Sequence, residues 1–337
     1  MKTWDAIIIG GGIVGLSLAR ELRKRNLSVL VVERGEPGRE ASHAAAGMLA
    51  YCDPALPPAL AALASASAAA YPEFVHEVED ESGMRVDYRT EGAIAFLECP
   101  PEPLLPCMRP VDREDVARLE PQLAAPLAAA YFLQEATVDP RALVDASLRA
   151  ARHRNVDIAS GSPVTEVEVV GKRAAAVKTS RTTFAAGMIV NCAGAWAGSI
   201  APLAIPTRPV KGQMLALVAP RRGIVKHVVR APEVYLVPRS DGRIIVGSTL
   251  EEAGFDKRLD AETIQRLHQS AANLVPELGQ ARMLEAWAGL RPGTPDALPI
   301  LGATALESYF VATGHFRDGI LLAPITARVM AQLLLGG

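Results

Sequence analysis

The hydrophobic pattern near the start of the chain changes period twice within thirty residues. Residues 4–9 are a short, largely β-branched apolar run that suits a strand buried on both faces. Gly10-Gly11-Gly12-Ile13-Val14-Gly15 interrupts it. Leu16, Leu18, Ala19 and Leu22 then recur at helical spacing, with Asn26 where a helix C-cap belongs. Residues 28–33 predict a second strand, which ends on the acid Glu33. Strand, GxGxxG, helix, strand, acid is the order that dinucleotide binding requires.

Farther along, the alanine-rich residues 55–78 predict a helix broken or restarted near Pro72. Residues 89–96 predict a strand, 100–110 a proline-rich connection, 112–119 a short helix and 128–133 another strand. Asp139 as N-cap and Pro140 at the first helical position start a helix that runs to about Arg154. Strands are expected at 156–158, 164–170 and 174–179, and an apolar strand at 188–196 ends in small residues. Residues 208–285 read as β-rich, with antiparallel strands at 210–218, 225–230, 234–238 and 243–248. Ser240-Asp241-Gly242 supplies the hairpin signal between the last two. A capped amphipathic helix follows at 260–274, then a strand at 309–314 and a closing helix at 319–335.

Each residue type in the first motif has a physical task. Gly10 allows a tight turn out of the strand, Gly12 lets a pyrophosphate approach the backbone, and Gly15 lets helix and strand pack closely. The helix N-terminus offers free N–H groups and a partial positive charge to the phosphates. Glu33 stands eighteen residues after Gly15, where a carboxylate accepts hydrogen bonds from ribose hydroxyls. It would repel a 2′-phosphate, which disfavours NADP; the motif alone does not separate FAD from NAD.

Composition narrows the classes without choosing a reaction. The chain has 337 residues, enough for two domains, and a formal net charge of −2, which gives no basic surplus for a nucleic-acid partner. Only one lysine precedes the first apolar run, and glycines interrupt it, so a signal peptide is not expected there. No apolar stretch is long enough to span a membrane, and a cytoplasmic protein is the expectation. Cys52, Cys99, Cys107 and Cys192 form no CxxC, and neither they nor the six histidines show metal-ligand spacing. Free thiols are expected, with Cys99 and Cys107 the pair weighed for a disulfide.

Three stretches carry a family resemblance: 287–296 (with Trp287, Gly289, Arg291 and Pro292), 314–324 (with His315, Arg317, Asp318 and Gly319) and 41–48. Together they resemble the glycine oxidases, within the FAD-dependent D-amino acid oxidase and sarcosine oxidase family. The resemblance covers nearly the whole chain. It implies an α/β (α+β overall) fold, an FAD-binding Rossmann-like domain with an inserted substrate domain on a mainly antiparallel sheet. The corresponding segments are 1–85, 139–207 and 286–337 for the first, and 86–138 and 208–285 for the second.

The resemblance also implies noncovalent FAD. Gly10, Gly12, Val14 and Gly15 would meet the pyrophosphate, Glu33 the adenosine ribose with Arg34 beside it, and Ser42 the phosphates. Ala45, Ala46, Gly47 and Met48 would pass beside the flavin ring, and Val164 would contact adenine through its backbone. Arg317, Asp318, Gly319, Ile320 and Leu321 would offer N–H groups to the ring's N1–C2=O edge, with His315 packed alongside. Ala193, Gly194, Trp196 and Arg291 complete the expected cofactor contacts.

Arg291 would grip the substrate carboxylate bidentately and Tyr235 would touch the same group, while Met48 would limit the side chain and Arg317 would line the pocket. The implied reaction is oxidative deamination of glycine, sarcosine or a small D-amino acid by hydride transfer to flavin, with oxygen as acceptor. Such proteins are associated with supplying the imine for thiamine's thiazole ring. The alternatives are a D-amino acid dehydrogenase with another acceptor, an N-methyl amino acid oxidase, and a noncatalytic FAD-binding protein. The sequence allows a homo-oligomer.

Overall fold

The protein, described here as a computed structural model, is defined over residues 2–124 and 128–336. Its organising unit is a parallel βαβ. Strand β1 (Thr3–Ile9) leads through the glycines into helix α1 (Ile13–Lys24), and strand β2 (Val29–Val32) returns parallel to β1. These strands are buried on both faces: Ala6, Ile8, Val29 and Val31 pack against helices, and Ile7, Ile9, Leu30 and Val32 against Val167 and Val177 of the hairpin at 164–179. The 183–191 segment (Thr183–Asn191) pairs in parallel with β1 on its other side, and Tyr309–Thr313 pairs in parallel with the end of that segment. Asp157–Ala159 closes the edge beside β2. Helices α1, Ala61–Ser82, Pro140–His153 and Gly319–Leu334 bury Leu16, Leu22, Tyr71, Leu143 and Leu322 in one core.

The second sheet runs in the order Arg282–Gly293, Arg208–Val218, Arg243–Gly247, Tyr235–Pro238, Val228–Arg230, Ala93–Leu97, Ala129–Leu133, Met108–Val111. All its pairings are antiparallel except that of Val228–Arg230 with Ala93–Leu97. Helix Ala261–Leu274 covers one face through Ile264, Leu267 and Leu274. The other face, through Met214, Val237 and Ile245, packs with Ala46 and Met48. The fold is therefore the mixed α/β arrangement expected, with a largely antiparallel second sheet.

Several details differ from the sequence expectation. Helix Ala61–Ser82 passes through Pro72 without a break and ends at Gly83 in the left-handed region, φ 66°. Ala68 stands four residues before the proline, and burial of Tyr71, Phe74, Val75 and Val78 holds the segment helical. The expected strand at 188–196 begins earlier, at Thr183, and its small-residue end is a 3-10 turn, Gly194–Ser199. Residues 286–293 lie in the twelve-residue strand Arg282–Gly293, hydrogen-bonded to the second sheet along its length. They thus belong to the second sheet, whereas the expected division grouped 286–337 with the nucleotide-binding segments.

The thiol expectation is also corrected. Cys52 and Cys107 are disulfide-bonded across 55 residues, with Cα atoms 6.0 Å apart, whereas Cys99 is free and exposed. The fold brings the turn after Met48–Leu49 against the residues before strand Met108–Val111, a proximity that no local spacing announces. Cys192 is free and buried, and burial pushes its thiol up to about 12.

Candidate functional site

At the carboxyl ends of β1 and Thr183–Asn191 lies a cavity of about 280 Å³. Its walls include Gly10, Gly12, Val14, Glu33, Arg34, Ser42, Ala45, Val164, Ala193, Gly194, Trp196, His315, Arg317, Gly319 and Ile320. Open α/β sheets place ligands at this end of their strands. Two glycines are demanded by space. A Cβ at Gly10, where φ is +107°, would lie 2.5 Å from the Cys192 carbonyl oxygen, and one at Gly15 would lie 2.1 Å from that of Gly10. At Gly12 an added Cβ would meet only Ser42 Oγ, at 3.3 Å, so backbone stands bare toward the cavity.

No side chain of α1's own first residues caps its start. Ser42 reaches across instead and accepts the Ile13 N–H at 3.0 Å. The buried Glu33 carboxylate is fixed by two backbone donors, Gly11 N at 2.8 Å and Gly35 N at 2.9 Å. These use one lone pair on each oxygen and leave others for hydroxyl donors. Arg34 lies 4.4 Å over the Trp196 ring, which stacks on Phe255. A bare-backbone turn at a helix N-terminus beside a fixed carboxylate fits the pyrophosphate and ribose of a dinucleotide. We expect Glu33→Ala to weaken cofactor retention about tenfold, the effect of losing one charged hydrogen bond. Flavin content after dialysis measures it, and an unchanged value would exclude a ribose contact.

A second cavity, about 470 Å³, adjoins the first and shares Ala41, Ala45, Leu290, Phe316, Arg317 and Ile320 with it. It brings together Ala46, Gly47, Met48, Tyr235, Arg291, Arg317 and Asp318. Strand register explains the convergence. Tyr235 and Met214 both pair with Gly247, while Arg291 pairs with Val210 on the strand that carries Met214. Arg291 donates to Ser248 Oγ at 2.7 Å and to the Thr249 carbonyl at 3.1 Å. Its guanidinium fills the space above Gly212, where a Cβ would come within 2.3 Å of Nη1.

Burial lowers the proton affinity of Arg291 and raises that of the Tyr235 hydroxyl. Glu251, the carboxylate acting most on Arg291, is itself paired with Lys211 at 3.4 Å. No carboxylate among the described residues forms an ion pair with Arg291. Arg317 is placed differently: its Nη2 lies 3.4 Å from Asp53 Oδ2, on a half-exposed side chain. His315 is buried against Thr326 Oγ1 at 3.1 Å, and burial pushes its ring down to about 4, so it is neutral at physiological pH. Leu321 is fully buried beneath this segment and its carbonyl accepts from Ser67 Oγ.

Sequence reasoning missed two arrangements beside this cavity. Buried Arg239 donates to the Ala46 carbonyl and faces Asp139, which also receives Arg243 at 2.7 Å. Its place after Val237-Pro238 in a strand was the available signal. Buried Glu135 receives Arg230 and the Cys52 N–H, and desolvation raises its carboxyl to about 7. Nothing periodic marks Glu135 in the sequence. Among the described residues no cluster of three or more His, Cys, Asp or Glu could hold a metal, and no helix is long and apolar enough to cross a membrane.

Comparison with known proteins supplies the family. The family model described as FAD dependent oxidoreductase (DAO) matches residues 5–333. The bifunctional protein ThiO/ThiG of Synechocystis is 37% identical over 99% of this chain, which spans 52% of that protein. The glycine oxidase of Pseudomonas aeruginosa is 34% identical over 98% of this chain and 94% of its own length. The crystal structure of glycine oxidase from Geobacillus kaustophilus superposes with a TM-score of 0.92 at 30% identity, covering 100% of this chain and 95% of that one. With a glycine-lined dinucleotide cleft opening into a cavity walled by Arg291 and Tyr235, and a family match along nearly its whole length, the chain belongs to the FAD-dependent oxidoreductases of the DAO family.

Proposed function

We propose that the protein oxidatively deaminates glycine or a similarly small amino acid, such as sarcosine or a small D-amino acid. The products are a 2-oxo acid and ammonia or an amine, with hydrogen peroxide when oxygen is the acceptor. The observation that carries this reading is Arg291, a half-buried guanidinium without a carboxylate partner among the described residues, in a cavity contiguous with the dinucleotide cleft. A planar fork that lacks a protein anion suits a substrate carboxylate.

Tyr235, in the same wall, offers a hydroxyl whose proton is retained at neutral pH, and therefore a further donor. Met48 lines the same cavity and takes up room that a larger side chain would need. Noncovalent FAD, held by Gly10, Gly12, Gly15, Ser42 and Glu33, supplies the two-electron acceptor. The chain's own contribution is positioning: Arg291 and Tyr235 fix one end of the substrate so that its Cα faces the cofactor side. The glycine oxidase relatives, matched over most of their own lengths, support the same substrate class.

The test is anaerobic addition of glycine to the purified yellow holoenzyme. Loss of the oxidised flavin absorbance, followed by about one peroxide per glycine when air is admitted, is the expected result. Dye reduction without peroxide under air would instead make the enzyme a dehydrogenase, and formaldehyde release from sarcosine would favour an N-methyl amino acid oxidase. Absorbance that no small amino acid changes would end the proposal.

A further inference from the structure

Residues 43–48 pass the junction of the two cavities: Ala45 lines both, whereas Ala46, Gly47 and Met48 line only the second. A cofactor held at the glycine turn and extending toward Arg291 crosses this junction. Ala45, Ala46 and Gly47 belong to no helix or strand, and none has a side chain long enough to anchor it. The segment is held through its carbonyls instead. His43 accepts from Arg141 Nε at 3.4 Å, Ala44 from Trp287 Nε1 at 3.1 Å, Ala46 from Arg239 Nη2, and Gly47 from the Val138 N–H at 2.9 Å.

Arg239 is the most deeply buried of the side chains among these donors, 5% exposed, and its place in the second sheet is fixed. It follows strand Tyr235–Pro238, donates its N–H to the Arg243 carbonyl at 2.8 Å and accepts the Gly242 N–H at 3.1 Å. Alternation along the strand puts residues 235, 237 and 239 on one face. Tyr235 and Val237 indeed pack with Ala46 and Met48, while Leu236 packs in the core on the opposite face.

Stability alone does not account for a guanidinium here. Asp139 Oδ2 lies 4.0 Å from Arg239 Nε, but that carboxylate already receives Arg243 at 2.7 Å and the Arg141 N–H at 2.9 Å. Arg239 Nη1 is buried without a hydrogen-bond partner among the described residues. An apolar side chain of similar volume often stabilises a core as well as such an ion does. What the guanidinium supplies is a stiff link of fixed length between strand and segment.

We propose that Arg239 is a positioning residue that sets the separation between the substrate wall and the cofactor. It ties the Ala46 carbonyl, beside the cavity junction, to the strand that carries Tyr235 four residues earlier. Arg239 walls neither cavity and acts through Ala46. The inference rests on the amino acid reading above and says what keeps the substrate's Cα at reacting distance.

The experiment compares the unmodified holoenzyme with Arg239→Met and Arg239→Lys in anaerobic single-turnover reduction by saturating glycine. A displacement of about 1 Å costs about 100-fold, so the reduction rate of Arg239→Met should fall about 10- to 100-fold. Arg239→Lys should recover part of it, because an ammonium can still donate to a carbonyl. Three readouts should stay level in both variants: the Tm, the Kd for FAD, and the Kd for glycolate from perturbation of the flavin spectrum. Glycolate reports the Arg291–Tyr235 end alone, and its Kd should change less than about twofold, as for an interaction that affects the reacting step and not binding.

An Arg239→Met rate within about twofold of the unmodified protein would overturn the proposal. A rate that falls only in step with Tm and FAD affinity would also overturn it, by making the arginine a structural residue. A crystal structure of the unmodified holoenzyme supplies a test that no folding defect can obscure. It should show the flavin ring against Ala46 with the guanidinium on that carbonyl, and a ring remote from Ala46 would sink the idea. Glycine that fails to reduce the unmodified holoenzyme would end the substrate reading and this inference together, whereas reduction indifferent to Arg239 would end this one alone.

Discussion

Arg291→Ala is expected to raise the KM for glycine about ten- to a hundredfold while the protein keeps its FAD. Charged hydrogen bonds contribute about 1.5–3 kcal/mol each in shielded sites, and removing both arms of a bidentate pair lies at the upper end of that range. The guanidinium's present partners, Ser248 Oγ and the Thr249 carbonyl, follow strand Arg243–Gly247 and are not part of the glycine turn, so cofactor retention should not change. Arg291→Lys should recover only part of the loss, because an ammonium cannot present two parallel donors. Steady-state kinetics with a flavin-to-protein ratio decides the matter. An unchanged KM would remove the carboxylate clamp and with it the main support for an amino acid substrate.

Gly15→Ala is expected to yield protein that is purified without flavin. The added methyl would sit 2.1 Å from the Gly10 carbonyl oxygen and 3.3 Å from Ile8 Cγ2, and the first of these is backbone that no rotamer change can move. Either helix α1 shifts away from β1 or the turn opens, and each change spoils the alignment of N–H groups on which a pyrophosphate depends. Overpacking of this kind costs about 1–3 kcal/mol in stability, so the apoprotein should still fold. Gly83→Ala is the control: that glycine has φ +66° but nothing within 4 Å, so it strains the backbone without touching the cleft. FAD titration by flavin fluorescence measures both, and a Gly15→Ala protein that binds FAD like its parent would contradict the role given to this approach.

The glycine turn was legible in the sequence because its determinants lie within thirty residues and act through backbone. Gly10, Gly12 and Glu33 could be named before any coordinates and line one cleft, with Gly15 packed against the Gly10 carbonyl, whereas Ser42 in the same wall was reached through the resemblance. Arg291 and Tyr235 were reached only through the resemblance. They stand 56 residues apart and share a wall because the two antiparallel strands between theirs align Val210 and Met214 on one with Gly247 on the other. The ion pairs of Asp53 with Arg317 and of Glu135 with Arg230, and the Cys52–Cys107 bridge, joined loops with no periodic signal. Such pairings are set by how the lobes meet, and a one-dimensional pattern does not record that. Pro72 taught the converse, since a strong local breaker gave way to four buried side chains on the same helix.

Strand Tyr309–Thr313 and helix Gly319–Leu334 belong to the same core as α1, although some three hundred positions separate them along the chain. A ribosome that has delivered α1 and β2 has therefore not delivered the elements that flank them. Their apolar faces must wait, at the usual 5–20 residues per second, for roughly fifteen to sixty seconds of further translation. Newly made protein should accordingly depend on chaperones that shield such faces, and an early stop codon near residue 300 should yield insoluble polypeptide instead of a smaller FAD-binding fragment.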